Sequence, residues 1–93
     1  MILFVKFKSE LTFEEVMEVA ESRIEEFRAL EGLTQKYYVR DPATGEIGGI
    51  YIWDSAASLA QYSKSELRAT IAEAYKVKGT PRAEVLEVVE VLR

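Results

Sequence analysis

Two runs rich in aromatic and β-branched residues, Leu33 to Asp41 with Tyr37-Tyr38-Val39 and Ile47 to Asp54 with Ile50-Tyr51-Ile52-Trp53, are separated only by Pro42-Ala-Thr-Gly45. Nothing else in the chain limits its fold so strongly. Such side chains pack well on a pleated surface, and Pro and Gly supply the backbone angles of a tight reversal, so the segment predicts a β-hairpin. What flanks the hairpin is equally patterned. Ile2 to Lys8 predicts a strand with Leu3, Val5 and Phe7 on one face. Thr12 followed by Glu15 is a capping-box pair, and Phe13, Val16, Met17, Ala20, Ile24 and Phe27 fall on one helical stripe. One long amphipathic helix is expected, with Glu14 and Glu15 at its positive end and Gly32 as a C-terminal cap, ending near Glu31.

After the hairpin, Ser55 opens a short helix to about Tyr62, and Ser65 caps a second helical segment through Tyr75 whose inner face carries Leu67, Ile71 and Ala74. Gly79-Thr-Pro81 breaks the pattern, and Arg82 to Arg93 alternates Val, Leu and Glu as a final strand. The order is β-α-β-β-α-β over one domain, residues 1–93. This is the α+β, split-βαβ arrangement of ferredoxin-like folds, in which helices cover one face of an antiparallel sheet and leave the other in need of cover. In the final strand Leu86, Val88 and Leu92 oppose Val85, Val89 and Val91, so both faces are apolar and a homodimer through the open sheet face is expected.

Composition closes off several function classes. A formal net charge of −4 disfavours nucleic acid, whose affinity for proteins comes largely from Lys and Arg displacing counterions. An RNA-binding sheet of the same topology would need basic and aromatic strand motifs that are missing here. The chain contains no Cys, His or Asn, which removes disulfides, thiolate catalysis and the commonest metal ligands and general base. No metal or cofactor is expected, and neither phosphate-binding glycine loop, G-x-x-x-x-G-K-[ST] or G-x-G-x-x-G, occurs. No run approaches the roughly 18 apolar residues of a membrane span, and the N-terminus lacks a basic leader, so a cytoplasmic protein is expected.

The stretch Gly32-Leu-Thr-Gln-Lys36-Tyr-Tyr, then Thr44-Gly-Glu-Ile-Gly-Gly-Ile-Tyr51-Ile-Trp53, then Ser58-Leu-Ala-Gln-Tyr62, resembles the YdhR-like branch of the antibiotic biosynthesis monooxygenase superfamily. The shared pattern is a Lys in the second strand (Lys36), Gly-Gly-Ile-Tyr in the third (Gly48 to Tyr51) and a Tyr in the next helix (Tyr62). The resemblance implies a dimeric α+β barrel with a pocket between sheet and helices that binds aromatic compounds in several relatives, some of which are cofactor-independent monooxygenases of phenolic substrates. The superfamily's haem degraders use a His and an Asn, and this chain has neither.

A four-residue turn sets Asp41 against Glu46, hence Lys36 opposite Tyr51 and Tyr38 opposite Gly49, with Lys36, Tyr38, Tyr51 and Trp53 on one face. A one-residue slip would reverse that assignment. An aromatic wall with one ammonium suits a flat phenolic ligand, because rings stack on rings and a cation stabilises phenolate or developing superoxide. Lys36 and Tyr51 are the candidate catalytic residues, while Tyr38, Trp53 and Tyr62 are the candidate substrate-binding residues. A blander reading makes Tyr51, Trp53 and Tyr62 core or interface aromatics and Lys36 a snorkelling lysine, leaving a non-catalytic binding or assembly domain. Gly48-Gly49 likewise admits a bulge, a ring laid over bare backbone, or close approach of a ligand. The remaining polar groups have simpler explanations. The carboxylates Glu14, Glu15, Glu18, Glu21, Glu25 and Glu26 form a solvated helix face, Arg82, Glu84, Glu87 and Glu90 are edge charges, Ser63 and Ser65 are caps, and Lys76 and Lys78 face solvent.

Overall fold

In the computed structural model, which describes residues 1–93, β1 (Ile2–Ser9) buries Leu3, Val5 and Phe7 on alternate positions. The reciprocal capping box at α1 (Phe13–Ser22) is formed: Thr12 Oγ1 accepts from the Glu15 amide at 3.2 Å, and Glu15 Oε1 accepts from the Thr12 amide at 2.9 Å. The expected single helix to Glu31 is in fact two, because Arg23, at φ −110° and ψ 1°, interrupts it before α2 (Ile24–Arg28). Arg23 reaches across to the helices that follow the hairpin, where Nη2 donates to the Leu67 carbonyl at 2.9 Å and to Thr70 Oγ1 at 2.8 Å. That tie lies between segments far apart in sequence, so no local pattern announces the break. Gly32 adopts φ +85°, and a Cβ there would lie 2.1 Å from Ser58 Oγ.

The hairpin of β2 (Leu33–Arg40) and β3 (Ile47–Trp53) has the expected register, with Lys36 opposite Tyr51 and Tyr38 opposite Gly49. Asp41 closes the turn by donating its amide to the Glu46 carbonyl at 2.8 Å, while its own Oδ1 accepts from the Ala43 amide at 2.9 Å. α3 (Ala56–Ser63) and α4 (Glu66–Ala69) start at Ser55 and Ser65, each hydroxyl accepting a helix amide, and α5 (Ile71–Ala74) follows directly.

The last strand departs from expectation. β4 runs Val77–Leu86, beginning before Gly79-Thr-Pro81 and ending before the apolar alternation does. Its register against β1 shifts between the pairs Lys6–Arg82 and Lys8–Lys78, so Gly79, Thr80 and Pro81 sit in a bulge. Gly79 takes φ +67° there, and Pro81, which has no amide to give, falls where the ladder is already interrupted. The strand ends where its partner does: Leu86, its last residue, pairs with Ile2, the first residue of β1.

The sheet order β2-β3-β1-β4 is antiparallel throughout, which is the ferredoxin-like α+β fold. One cluster joins Leu3, Val5 and Phe7 to Val16, Ala20 and Phe27 from the first helical pair and to Leu59, Tyr62, Ile71 and Tyr75 from the segment after the hairpin, all on the same sheet face. The opposite face carries half-buried Ile2, Phe4, Ile50 and Ile52. At one end of that face Glu46, only 9% exposed, accepts from Arg82 Nη2 at 2.9 and 3.1 Å, while Lys6 pairs with Asp41. No helix is long and apolar enough to cross a membrane.

Gly48 permits the close pairing of β3 with β1, since a Cβ there would stand 1.8 Å from the Val5 carbonyl oxygen. Gly48→Ala should therefore cost about 3 kcal/mol or more, lowering Tm by about 12 °C or more. Gly45→Ala, where φ is +77° but the space is open, should cost only about 1 to 2 kcal/mol. Thermal melts of the two variants check this, and equal small losses would show that the close approach does not matter.

Candidate active site

Between the helix-covered face of the sheet and α1, α2 and α5 lies a cavity of about 190 Å³. That exceeds the roughly 150 Å³ apolar cavity known to admit one benzene. β2 supplies Lys36, Tyr38 and Arg40 at alternate positions, β3 supplies Gly48, Gly49 and Tyr51, and the opposite side is formed by Phe13, Met17, Phe27, Ile71 and Tyr75 among others.

Lys36 Nζ sits 3.2 Å from the centroid of the Phe27 ring, 4.4 Å from that of Tyr38 and 4.5 Å from that of Tyr51. It has neither a carboxylate nor any other hydrogen-bond acceptor in reach within the chain. Burial, and after it repulsion from Arg23, pushes the Lys36 pKa down from 10.5 to about 7. The three ring faces attract an ammonium and offset part of the cost of burying it. An amine in this position can act either as a cation or, after losing its proton, as a base near neutral pH.

Gly49 makes the arrangement possible. A Cβ there would lie 3.0 Å from Tyr51 Cε1 and 3.5 Å from Lys36 Cε, so bare backbone gives the ring and the lysine stem room to lie over the strand. Both glycines thus have a packing reason, and both also border the cavity.

Tyr51 is buried and stacks nearly parallel to Trp53, at 6° and 6.5 Å between centroids. Burial, with the neighbouring Tyr62 as the next cause, raises the Tyr51 pKa far above the usual phenol range. Its hydroxyl therefore stays protonated and can donate. Burial also raises Tyr38, against the pull of Arg23 and Arg28, and pushes Tyr75 up to about 12.

Of the five residues singled out in the sequence, Lys36, Tyr38 and Tyr51 line the cavity together, whereas Trp53 and Tyr62 do not. Those two stack behind Tyr51, with centroids 5.2 Å apart from each other and Tyr62 5.6 Å from Tyr51. The shared strand face does carry Trp53 beside Tyr51, but the Tyr62 ring of α3 packs against it and it is buried away from the cavity. Trp53 Nε1 and the Tyr62 hydroxyl are buried without a hydrogen-bond partner. Sequence reasoning missed Arg40, Phe27, Tyr75 and Phe13. The alternation Lys36-Tyr38-Arg40 could have revealed Arg40, whereas Phe27 and Tyr75 arrive by helix packing and carried no functional signal.

The model of the family described as "Putative mono-oxygenase ydhR" matches residues 2–91. The chain belongs to the ydhR mono-oxygenase family. Of its strand lysine, Gly-Gly-Ile-Tyr segment and helix tyrosine, Lys36, Gly48, Gly49 and Tyr51 line the cavity, whereas Ile50 and Tyr62 do not. Solved structures share the fold at low identity. NE2512 of Nitrosomonas europaea, a protein of unknown function, is 16% identical with a TM-score of 0.78, covering 97% of this chain and 89% of its own. A protein of Caulobacter crescentus described as a "putative antibiotic biosynthesis monooxygenase" has 16% identity and a TM-score of 0.78, covering 96% and 89%. SnoaB of Streptomyces nogalater, a cofactor-independent oxygenase, has 15% identity and a TM-score of 0.75, covering 98% and 95%. No curated protein matches the chain in sequence.

The lowered Lys36 pKa has a definite stability signature. Because the unfolded chain holds the lysine proton up to about pH 10.5 while the folded chain releases it from about pH 7, folded-state stability rises with pH across that window. Lys36→Met removes this dependence and leaves the tyrosines in place. Denaturant melts should show the variant more stable than the wild type at pH 7, with the gap closing toward pH 10. A constant gap would mean that Lys36 keeps its ordinary pKa.

Proposed function

We propose that this chain is a cofactor-independent monooxygenase of a phenolic or enolic aromatic small molecule, working as a homodimer. The observation that carries the reading is the unpaired Lys36 amine facing an aromatic, largely apolar cavity beside a protonated Tyr51. Membership of a mono-oxygenase family supports the reaction class.

In this mechanism neutral Lys36 takes the substrate's acidic proton, and the resulting ammonium stabilises the phenolate or enolate. The electron-rich anion passes one electron to O2, and the ammonium beside it stabilises the superoxide formed. Recombination of the two radicals makes the new C–O bond as a peroxide. Lys36 returns its proton to the peroxide, and loss of water leaves a carbonyl at the oxygenated carbon; the substrate has given up two hydrogens, one from that carbon and the acidic one that Lys36 removed. One oxygen atom enters the product and the other leaves as water, so the substrate is its own reductant. Tyr51 donates a hydrogen bond to the developing oxyanion, Tyr38 flanks the ring, and Trp53 and Tyr62 act through Tyr51 by fixing its ring. Arrangements of this kind typically gain about 10²- to 10⁴-fold from the acid–base residue.

The competing reading, a binding or assembly domain, would suit a pocket plugged by Tyr and Trp rings. Trp53 and Tyr62 stack behind Tyr51 and leave the cavity open, which favours a ligand. The homodimer is supported by the half-buried Ile2, Phe4, Ile50 and Ile52 on the open sheet face and by the C-terminal tail, where Val89 is 91% and Leu92 92% exposed.

Oxygen uptake by the metal-free protein over anthrones, naphthols and quinols is the test. Saturable uptake should fall by about 100-fold or more in Lys36→Met and by about tenfold in Tyr51→Phe, with circular dichroism unchanged. Full uptake in a folded Lys36→Met protein would remove Lys36 from the mechanism, and no uptake by the wild type across the panel would favour the binding domain. Sedimentation should give twice the chain mass, falling to the monomer in Ile50→Glu. A monomeric wild type would end the dimer proposal.

A further inference from the structure

The chain carries a net charge of −4, yet the charged side chains lining the cavity are Lys36 and Arg40, both cationic. No carboxylate lines it, and none contributes to the altered ionisation of Lys36 or Tyr38, on which Arg23 and Arg28 act instead. The adjoining groove, which shares Phe27, Lys36 and Tyr38, adds Arg28, whose charge is met by Glu25 at 2.6 Å outside the lining. An acidic protein has therefore kept two cations without a carboxylate partner, Lys36 and Arg40, on the wall of one cavity.

Arg40 is the exposed member of the pair. Its guanidinium lies over the Phe13 ring at 4.2 Å, a stacking contact that holds the planar fork at the cavity edge without using its N–H donors. It forms no ion pair; the neighbouring Asp41 points to the other strand face, where Lys6 engages it. Lys36, Tyr38 and Arg40 share one strand face, so a ligand that laid its ring against Tyr38 would have one cation toward each end.

We infer that the cavity selects an aromatic small molecule that carries a carboxylate as well as its oxidisable phenol or enol, with Arg40 gripping the carboxylate and the ring lying between Tyr38, Tyr51 and Lys36. This rests on the oxygenase reading of the same site and adds the substrate class to it. A guanidinium fork matches a carboxylate through two parallel N–H bonds, a geometry that neither Lys36 nor a tyrosine can offer. Arg40 is a specificity residue here and takes no part in the oxygen chemistry.

Calorimetric binding of 2-naphthol and of 6-hydroxy-2-naphthoate to the full-length protein compares two ligands that differ only in the carboxylate. The acid should bind about tenfold more tightly than the neutral phenol, with an advantage that shrinks as salt is added. Arg40→Gln should abolish that advantage while leaving naphthol affinity within about twofold, and Arg40→Lys should restore part of it. Equal affinities in the wild type, or an equal loss for both ligands in Arg40→Gln, would overturn the inference. Oxygen uptake with naphthol in the same samples separates the two claims. Turnover without acid preference leaves the oxygenase standing and refutes the carboxylate, while absence of binding by either ligand refutes both.

Discussion

The pairing register of β2 against β3 is the constraint on which the site and much of the core depend. Side chains alternate across a strand, so the register that sets Lys36 against Tyr51 also sends Tyr38, Tyr51 and Trp53 to the helix-covered face and Tyr37, Ile50 and Ile52 to the other. A slip by one residue would place a lysine outside and exchange the aromatic stack for isoleucines. The turn holds the register through Asp41, whose amide meets the Glu46 carbonyl and whose carboxylate is bound by Lys6 and the Ala43 amide. Those contacts hold the Asp41 pKa down at about 2, the Lys6 hydrogen bond being the largest cause, so the clamp stays charged throughout the neutral range.

Within that frame the protein accepts a local cost. Hydrophobic burial is the dominant stabilising term for a domain of this size, and an amine among apolar groups works against it. The ring faces of Phe27, Tyr38 and Tyr51 supply the compensation, since their electron-rich faces attract a cation without themselves being hard to desolvate. A carboxylate partner would have held Lys36 permanently protonated. With rings as its neighbours and Arg23 nearby, the proton remains exchangeable near neutrality, which is the property that proton transfer requires.

Irregularities in the strands serve the packing around this centre. Gly48 brings β3 close to β1, Gly49 clears space for Tyr51, and the β4 bulge absorbs Gly79 and Pro81 while keeping Lys6 opposite Arg82. That last pairing brings Arg82 to the buried Glu46 and ties the edge strand to the hairpin turn.

The amino-acid sequence by itself determined whatever rests on neighbours a few residues apart. It specified the element order, the Thr12, Ser55 and Ser65 caps, the four-residue turn and the face shared by Lys36, Tyr38 and Tyr51, because capping, turn chemistry and period-two alternation all act over short spans. Only the tertiary structure decided the helix break at Arg23, which answers to Leu67 and Thr70, and the end of β4 at Leu86, which answers to the length of β1. Equally out of sequence reach were the retreat of Trp53 and Tyr62 behind Tyr51 and the arrival of Phe27 over the Lys36 amine. Each of these depends on which groups a distant segment presents, and packing between layers leaves no periodic trace in the chain.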